Sequence, residues 1–217
     1  MENITPSIAL ESLSQVPLAT RIGRDTDSKA ELVEELIASR QNVSAKRLVE
    51  PGPCPNQLAQ IFRAAAAAPD HGLLTPWRFV VVPAHCRARL AEVFALALID
   101  RDPSATLAQI EAARDKAYRA PLLMLAVARL GPCESGIPVL ERMVAVGACI
   151  QNILLSAYSL GYGSGLTSGQ AMQSQRMATL FALSAGEEAV CFVNIGTVSK
   201  GKMPRLRPDA STFVTSL

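Results

Sequence analysis

Three groups of residues in this sequence have types and spacings that chemistry can use: a histidine on a loop between prolines, a glycine-rich run, and two clusters of cations near opposite ends of the chain. The histidine lies in residues 64–79, AAAAAPDHGLLTPWRF. Here Pro69 stops an alanine-rich helix, Asp70, His71 and Gly72 make a loop, and Pro76 and Trp77 open the β-branched run 80–82. A helix, a loop and a strand in that order carry backbone amides and an imidazole on a loop held by two rigid elements, the usual place for a binding site. Two readings of His71 stand side by side: a loop residue hydrogen-bonding its own backbone, or a group that donates to a ligand and shapes its pocket.

The glycine-rich run is Gly161, Tyr162, Gly163, Ser164, Gly165, Leu166, Thr167, Ser168, Gly169. It is not a dinucleotide fingerprint, because that motif needs a strand before it and a helix after it. Here a long helix comes first and Leu166 takes the place of the third glycine. The run is either a flexible connection or a stretch of backbone that approaches a flat ligand closely. The first cation group, Arg40 with Gln41 and Asn42 and then Lys46 and Arg47, and the second, Lys200, Lys202, Arg205 and Arg207, are either solvated surface charge or two clusters converging on one phosphate. No serine sits in a G-x-S-x-G elbow, and Cys54 and Cys86 read as packing residues rather than nucleophiles. Few conventional catalytic residues beside scattered anion ligands fit an enzyme whose cofactor does the chemistry.

The elements that must position these residues follow from the hydrophobic pattern. The chain of 217 residues is long enough for one domain with a substantial core, preceded by an arm over 1–28 without sustained periodicity. Helical spacing appears from Ser28, a candidate N-cap, to about 39, and again over 55–68, 84–99 and 103–118. The apolar runs 121–129 and 189–198 suit buried strands, with a further strand at 79–82. Between them, 139–160 is apolar or small on almost every face from Met143 onward, which predicts a helix buried in the core or against a partner chain, stopped by a left-handed Gly161. Glu141, Arg142, Gln151 and Asn152 argue against a membrane span. A net charge of +2 provides no global field for nucleic acid or an anionic membrane, so any anion site is local. Five widely spaced cysteines without a C-x-x-C pair, only two histidines, and no basic and apolar leader predict a cytoplasmic protein with reduced thiols and no metal site.

Several short segments, in order, resemble the FMN-dependent nitroreductases, in particular a compact bacterial NAD(P)H-dependent subgroup. They are Arg40-Gln41-Asn42 followed by Lys46-Arg47-Leu48-Val49-Glu50-Pro51; Ala68-Pro69-Asp70-His71 leading to Pro76-Trp77-Arg78-Phe79; Arg119-Ala120-Pro121; the long helix into Gly161-Tyr162-Gly163; and Phe213-Val214-Thr215. The resemblance implies an α+β fold with a central mixed β-sheet flanked by helices, in an intertwined homodimer with one FMN in each of two interface clefts. It implies a nitroreductase-like domain over 29–217, and an oxidoreductase in which NAD(P)H reduces FMN and FMN reduces a small acceptor such as a nitroaromatic or quinone, by a ping-pong mechanism. By position it implies that Arg40, Gln41 and Asn42 hold the phosphate and ribityl chain. Ala67 approaches through its backbone, His71 faces the flavin, and Arg205 or Arg207 completes the phosphate site. Leu166, Thr167 and Ser168 are implied to reach the ring from the partner subunit. The family commonly has R-R-S where this chain has Arg40-Gln41-Asn42, and about two extra residues precede Lys46, which leaves the roles of Lys46 and Arg47 open. The missing guanidinium also admits a second function, a flavin-binding dimer without dehydrogenase turnover that carries or modifies flavin.

Overall fold

A computed structural model of the chain describes residues 26–131, 136–201, 203 and 205–217. The expected N-terminal arm lies outside the described residues except for 26–28, which are already helical, and Cys133 and Lys202 also lie outside them. The first helix, α1 (Thr26–Ser39), thus begins two residues before the candidate cap Ser28. Leu36–Leu217 forms one compact unit, and the described part of the unit before it, 26–35, is helical.

The remaining elements are β1 (Leu48–Val49), α2 (Pro55–Ala66), β2 (Trp77–Val81), α3 (Arg87–Arg101), α4 (Leu107–Arg114), β3 (Leu122–Arg129), α5 (Val139–Ser159), β4 (Gly163–Thr167), α6 (Gln175–Leu180) and β5 (Glu187–Val198). The order expected from the pattern is present. The differences are local: 84–86 and 115–118 are 3₁₀ turns flanking α3 and α4, and β1 was not anticipated. Two residues carry no period of their own, and β1 exists because Leu48 and Val49 pair with Val198 and Thr197.

The sheet runs β1-β5-β3-β2, with β4 also paired to β5, and all of these ladders are antiparallel. Its parallel component is the isolated bridge between Asn42 and Ser164. Both faces of the two central strands are covered, which is why their sequences are nearly continuous apolar runs. Met124, Ala126, Ala128, Val193 and Ile195 point into a core shared with α2 and α5. Leu123, Leu125, Val127 and Phe192 point into a second core under α3, α4 and α6. The period-two alternation of the strands therefore separates two helical layers. Full burial of side chains such as Met124, Leu125 and Ile153 contributes about 1.5–3 kcal/mol each.

Helix α5 is long and apolar enough by composition to cross a bilayer, but Ala145, Val146, Cys149, Ile150, Ile153 and Ala157 form a stripe packed on α2 and the sheet. Its opposite face carries Leu140, Val144 and Gly147 exposed. Gly161 stops the helix at φ +86°, the left-handed conformation expected of it. At its end Tyr162 Oη donates to Gln57 Oε1 at 2.8 Å, and the same oxygen accepts from Cys54 N at 2.9 Å, which ties the C-terminus of α5 to the N-terminus of α2.

Candidate cofactor cleft

The segment after α1 is laid against the outer edge of β4. Asn42 bridges to Ser164, Val43 N donates to Ser164 O at 2.8 Å, and Leu166 N donates to Asn42 Oδ1 at 3.3 Å. Glycine at 165 makes this approach possible, since a Cβ there would collide with the Val43 carbonyl. Arg40, Asn42 and Leu166 of one chain are thereby brought into one place.

Arg40 is the electrostatic centre of that place. Its Nε and Nη1 are buried and meet no hydrogen-bond partner among the described residues. Burial, and then the neighbouring Arg207, press its pKa below the usual value. Arg207 lies close because its Nη2 donates to Arg40 O at 2.9 Å. The Ser164 hydroxyl is also buried without a partner. Unpaired buried donors are costly and rare. Two guanidiniums drawn together, with donors still free, are a donor set that a polyoxygen anion would satisfy. The donor set fits the phosphate of FMN.

Two cavities open at the ends of β4. One, of about 690 Å³, is walled by Gln41, Asn42, Lys46, Arg47, Lys200 and Arg205 together with Tyr158, Tyr162 and Gly163, and the described residues contribute no carboxylate to its wall. The other, of about 480 Å³, is lined by the apolar Phe94, Leu98, Leu123 and Phe192, by the cations Arg101, Lys116 and Arg119, and by Thr167, Ser168 and Gly169. Burial, then the like charges of Arg119 and Arg101, lower the pKa of Lys116. Asn194, nearly fully buried, donates from Nδ2 to Thr167 Oγ1 at 3.0 Å and to Gly165 O at 3.2 Å, and so fixes the strand between the cavities. From Gly163 to Thr167 that strand covers about 13 Å.

Ala67 and His71 lie elsewhere. Ala67 is the exposed residue ending α2, and its N–H donates to Ala64 O. His71 opens a turn with Gly72 at φ +67°, Leu73 at +55° and Thr75 at +45°, held by Thr75 N donating to Asp70 Oδ2 at 2.6 Å. The ring does not bond its own backbone. Nδ1 meets Glu141 Oε1 at 2.6 Å, in the first turn of α5. Tyr158, in the wall of the larger cavity, is 17 residues further along the same helix, about 25 Å away. One chain therefore presents its site residues in two separated groups. The cysteines add nothing nucleophilic in the core: burial raises the Cys149 thiol to about 12 and that of Cys191 to about 11.

Lys116, Asn194, Ser164 and Glu141 were not identified from the sequence. Asn194 carried a signal, as a polar residue inside the apolar run CFVNIG. Lys116 carried none, since it sits in a charged segment read as a surface helix.

Fold and cleft together define an α+β protein that presents unpaired buried guanidinium donors and a cavity lined by apolar and cationic side chains. A family model described as "Nitroreductase family" matches residues 46–197. The chain is 32% identical over 187 residues to the Escherichia coli K12 protein named "Putative NAD(P)H nitroreductase YdjA", covering 83% of this chain and 97% of that one. Among solved structures, a nitroreductase-like family protein from Bacillus cereus superimposes with a TM-score of 0.74 at 18% identity, covering 85% of this chain and 95% of that chain. The FMN-dependent nitroreductase NfnB from Mycobacterium smegmatis, solved in complex with NADPH, gives 0.67 at 15% identity, over 87% and 99%. The chain belongs to the nitroreductase family and has its fold, and this membership makes it an oxidoreductase.

Proposed function

We propose that the protein is an FMN-dependent oxidoreductase that takes electrons from NADH or NADPH and delivers them to a small acceptor such as a nitroaromatic or quinone. The observation that carries this reading is the Arg40 guanidinium, buried with Nε and Nη1 unpaired and with Arg207 drawn up beside it. A dianionic phosphate supplies the missing partner. Bound flavin would supply the two-electron chemistry, accepting hydride from a dihydronicotinamide and returning it to the acceptor.

The protein's own residues bind and orient. Arg40 and Arg207 hold the phosphate, and Gln41 and Asn42 the chain beyond it, with Arg205, Lys46 and Arg47 beside Gln41 and Asn42 in the wall of the larger cavity. Leu166, Thr167 and Ser168, at the far end of β4, would support the ring. The cations lining the smaller cavity, Lys116 foremost, would stabilise negative charge on a ring bound there. Asn194 keeps Thr167 in place.

The site is completed by a second copy of the chain. The exposed apolar face of α5, with Leu140 at 80% and Val144 at 70% exposure, suits an antiparallel two-fold pairing. That pairing sets the Glu141 end of one helix against the Tyr158 end of the other. It brings Ala67 and His71 of one protomer to the cavities of its partner. The Asn42–Leu166 bond within one chain supports Leu166–Ser168 acting on the same protomer's flavin, whereas Ala67 and His71 act across the interface.

Donor and acceptor then use one pocket in turn. Initial rates with both varied should give parallel double-reciprocal lines, as in a ping-pong reaction. Intersecting lines would contradict the single shared pocket. Flavin bound without donor-dependent turnover would establish the flavin-holding dimer instead.

A further inference from the structure

We infer that Glu141 and His71 form a proton-delivering couple for the acceptor, with His71 as the donor and Glu141 as the residue that positions it. The inference rests on the reductase reading and on the antiparallel dimer.

Glu141 Oε1 lies 2.6 Å from His71 Nδ1. A carboxylate accepts, so Nδ1 carries the hydrogen and Nε2 is the nitrogen directed outward. The other nearby carboxylate is engaged, since Asp70 Oδ2 accepts from Thr75 N at 2.6 Å. The turn that carries His71 includes two non-glycine residues at positive φ, Leu73 and Thr75, a conformation that persists only where its surroundings hold it and that gathers at functional sites. Glu141 sits on the first turn of α5, one residue after Leu140, at the edge of the face assigned to the dimer. Both side chains are exposed in the single chain, at 62% and 46%, so the couple is available to a site across the interface.

The chemistry leaves a need for such a group. A quinone that receives a hydride at one carbonyl oxygen takes up two electrons and one proton there, and requires a second proton at the other oxygen. The protonated imidazole supplies it from Nε2, the ring becomes neutral with its hydrogen on Nδ1 toward Glu141, and water returns the lost proton. Electrons come from the dihydronicotinamide through the bound flavin.

The chain has two histidines, His71 and His85, so nitrogen-15 NMR of the FMN-loaded protein, with His85→Asn for assignment, reads the ring directly. The neutral His71 ring should carry its hydrogen on Nδ1, and Glu141→Ala should abolish that preference. Glu141→Gln, which keeps an acceptor oxygen, should preserve it. In anaerobic stopped flow, bleaching of the flavin by NAD(P)H and its reoxidation are read separately in each variant, and the loss in reoxidation should exceed any loss in bleaching; an equal loss in both overturns the couple. Reoxidation by benzoquinone should fall about 100-fold in His71→Asn and about tenfold in Glu141→Ala. It should recover to within a few-fold of wild type in Glu141→Gln. Wild-type reoxidation in His71→Asn, or a neutral ring with no hydrogen on Nδ1, overturns the couple while the reductase reading stands. A wild-type protein whose flavin does not bleach overturns the reductase reading and this proposal with it.

Discussion

Arg207 donates from Nη2 to the backbone carbonyl of Arg40 at 2.9 Å across a sequence separation of 167 residues, and so brings a second guanidinium to one whose Nε and Nη1 are already buried without partners. Like charges do not gather in a folded protein without a third party. Burial, and then the neighbouring charge of Arg207, disfavour the charged Arg40 guanidinium in the flavin-free state.

The consequence is a pair of opposite effects. Arg40→Gln or Arg207→Gln should weaken FMN binding by about 10–100-fold, the loss of one charge-assisted contact. The same change at Arg40 should leave the melting temperature of flavin-free protein unchanged or raise it. Fluorescence titration with FMN and a thermal melt of the stripped protein measure both.

Gly165→Ala tests the approach of the 40–44 segment to β4. Its Cβ would collide with the Val43 carbonyl, forcing the two apart and dissolving the Asn42 contacts with Ser164 and Leu166. The expected cost is about 1–3 kcal/mol, read by denaturant titration, together with loss of FMN binding. An Ala variant that binds FMN at wild-type affinity would show that the segment is not what shapes the cleft.

Much of this was legible in the sequence. The element order, the two buried strands and the stop at Gly161 follow from local rules of period and turn chemistry, which the sequence carries residue by residue. The anion site was half legible: Arg40 and Arg207 could be named as cations, but their meeting is set by how the tail returns across the fold. His71 was visible as a loop histidine, whereas Glu141 was not, because a pairing across 70 residues leaves no trace in spacing. The face of α5 that stays exposed looked the same in sequence as the one that packs, since both are apolar. β1 was invisible because two residues carry no period and the strand exists through pairing with β5.

Val144→Glu places a charge on the exposed face of α5, where a 70% exposed residue contributes little to the fold of one chain. Sedimentation analysis should show monomer in place of dimer, with an unchanged far-ultraviolet circular dichroism spectrum and loss of bound FMN. A variant that remains dimeric would contradict pairing through α5.

Glu187 anchors the end of β5 opposite the cleft. Arg78 donates to both its carboxylate oxygens at 2.7 Å, Ser184 N at 3.1 Å and Arg129 Nε at 3.4 Å. Chiefly through the Arg78 hydrogen bonds, its carboxyl is held down to about 2 from 4.5. A carboxylate depressed in the folded state stabilises it fully above the unfolded value and progressively less as pH falls through the folded one. Glu187→Gln should therefore melt roughly 3–6 °C below wild type at neutral pH. The gap should close as pH falls from about 4.5 toward 2. A gap that persists unchanged at low pH would assign the loss to packing rather than charge.

The central claim is that this chain holds FMN at the Arg40 site and passes electrons through it. The most direct test is the visible spectrum of the FMN-loaded protein before and after NADPH or NADH is added without oxygen. The account predicts oxidised-flavin bands that bleach on addition and return with a quinone or nitroaromatic acceptor, and an Arg40→Gln protein that purifies largely without the bands. Flavin that stays oxidised with either donor would contradict it, as would a protein that takes up no FMN.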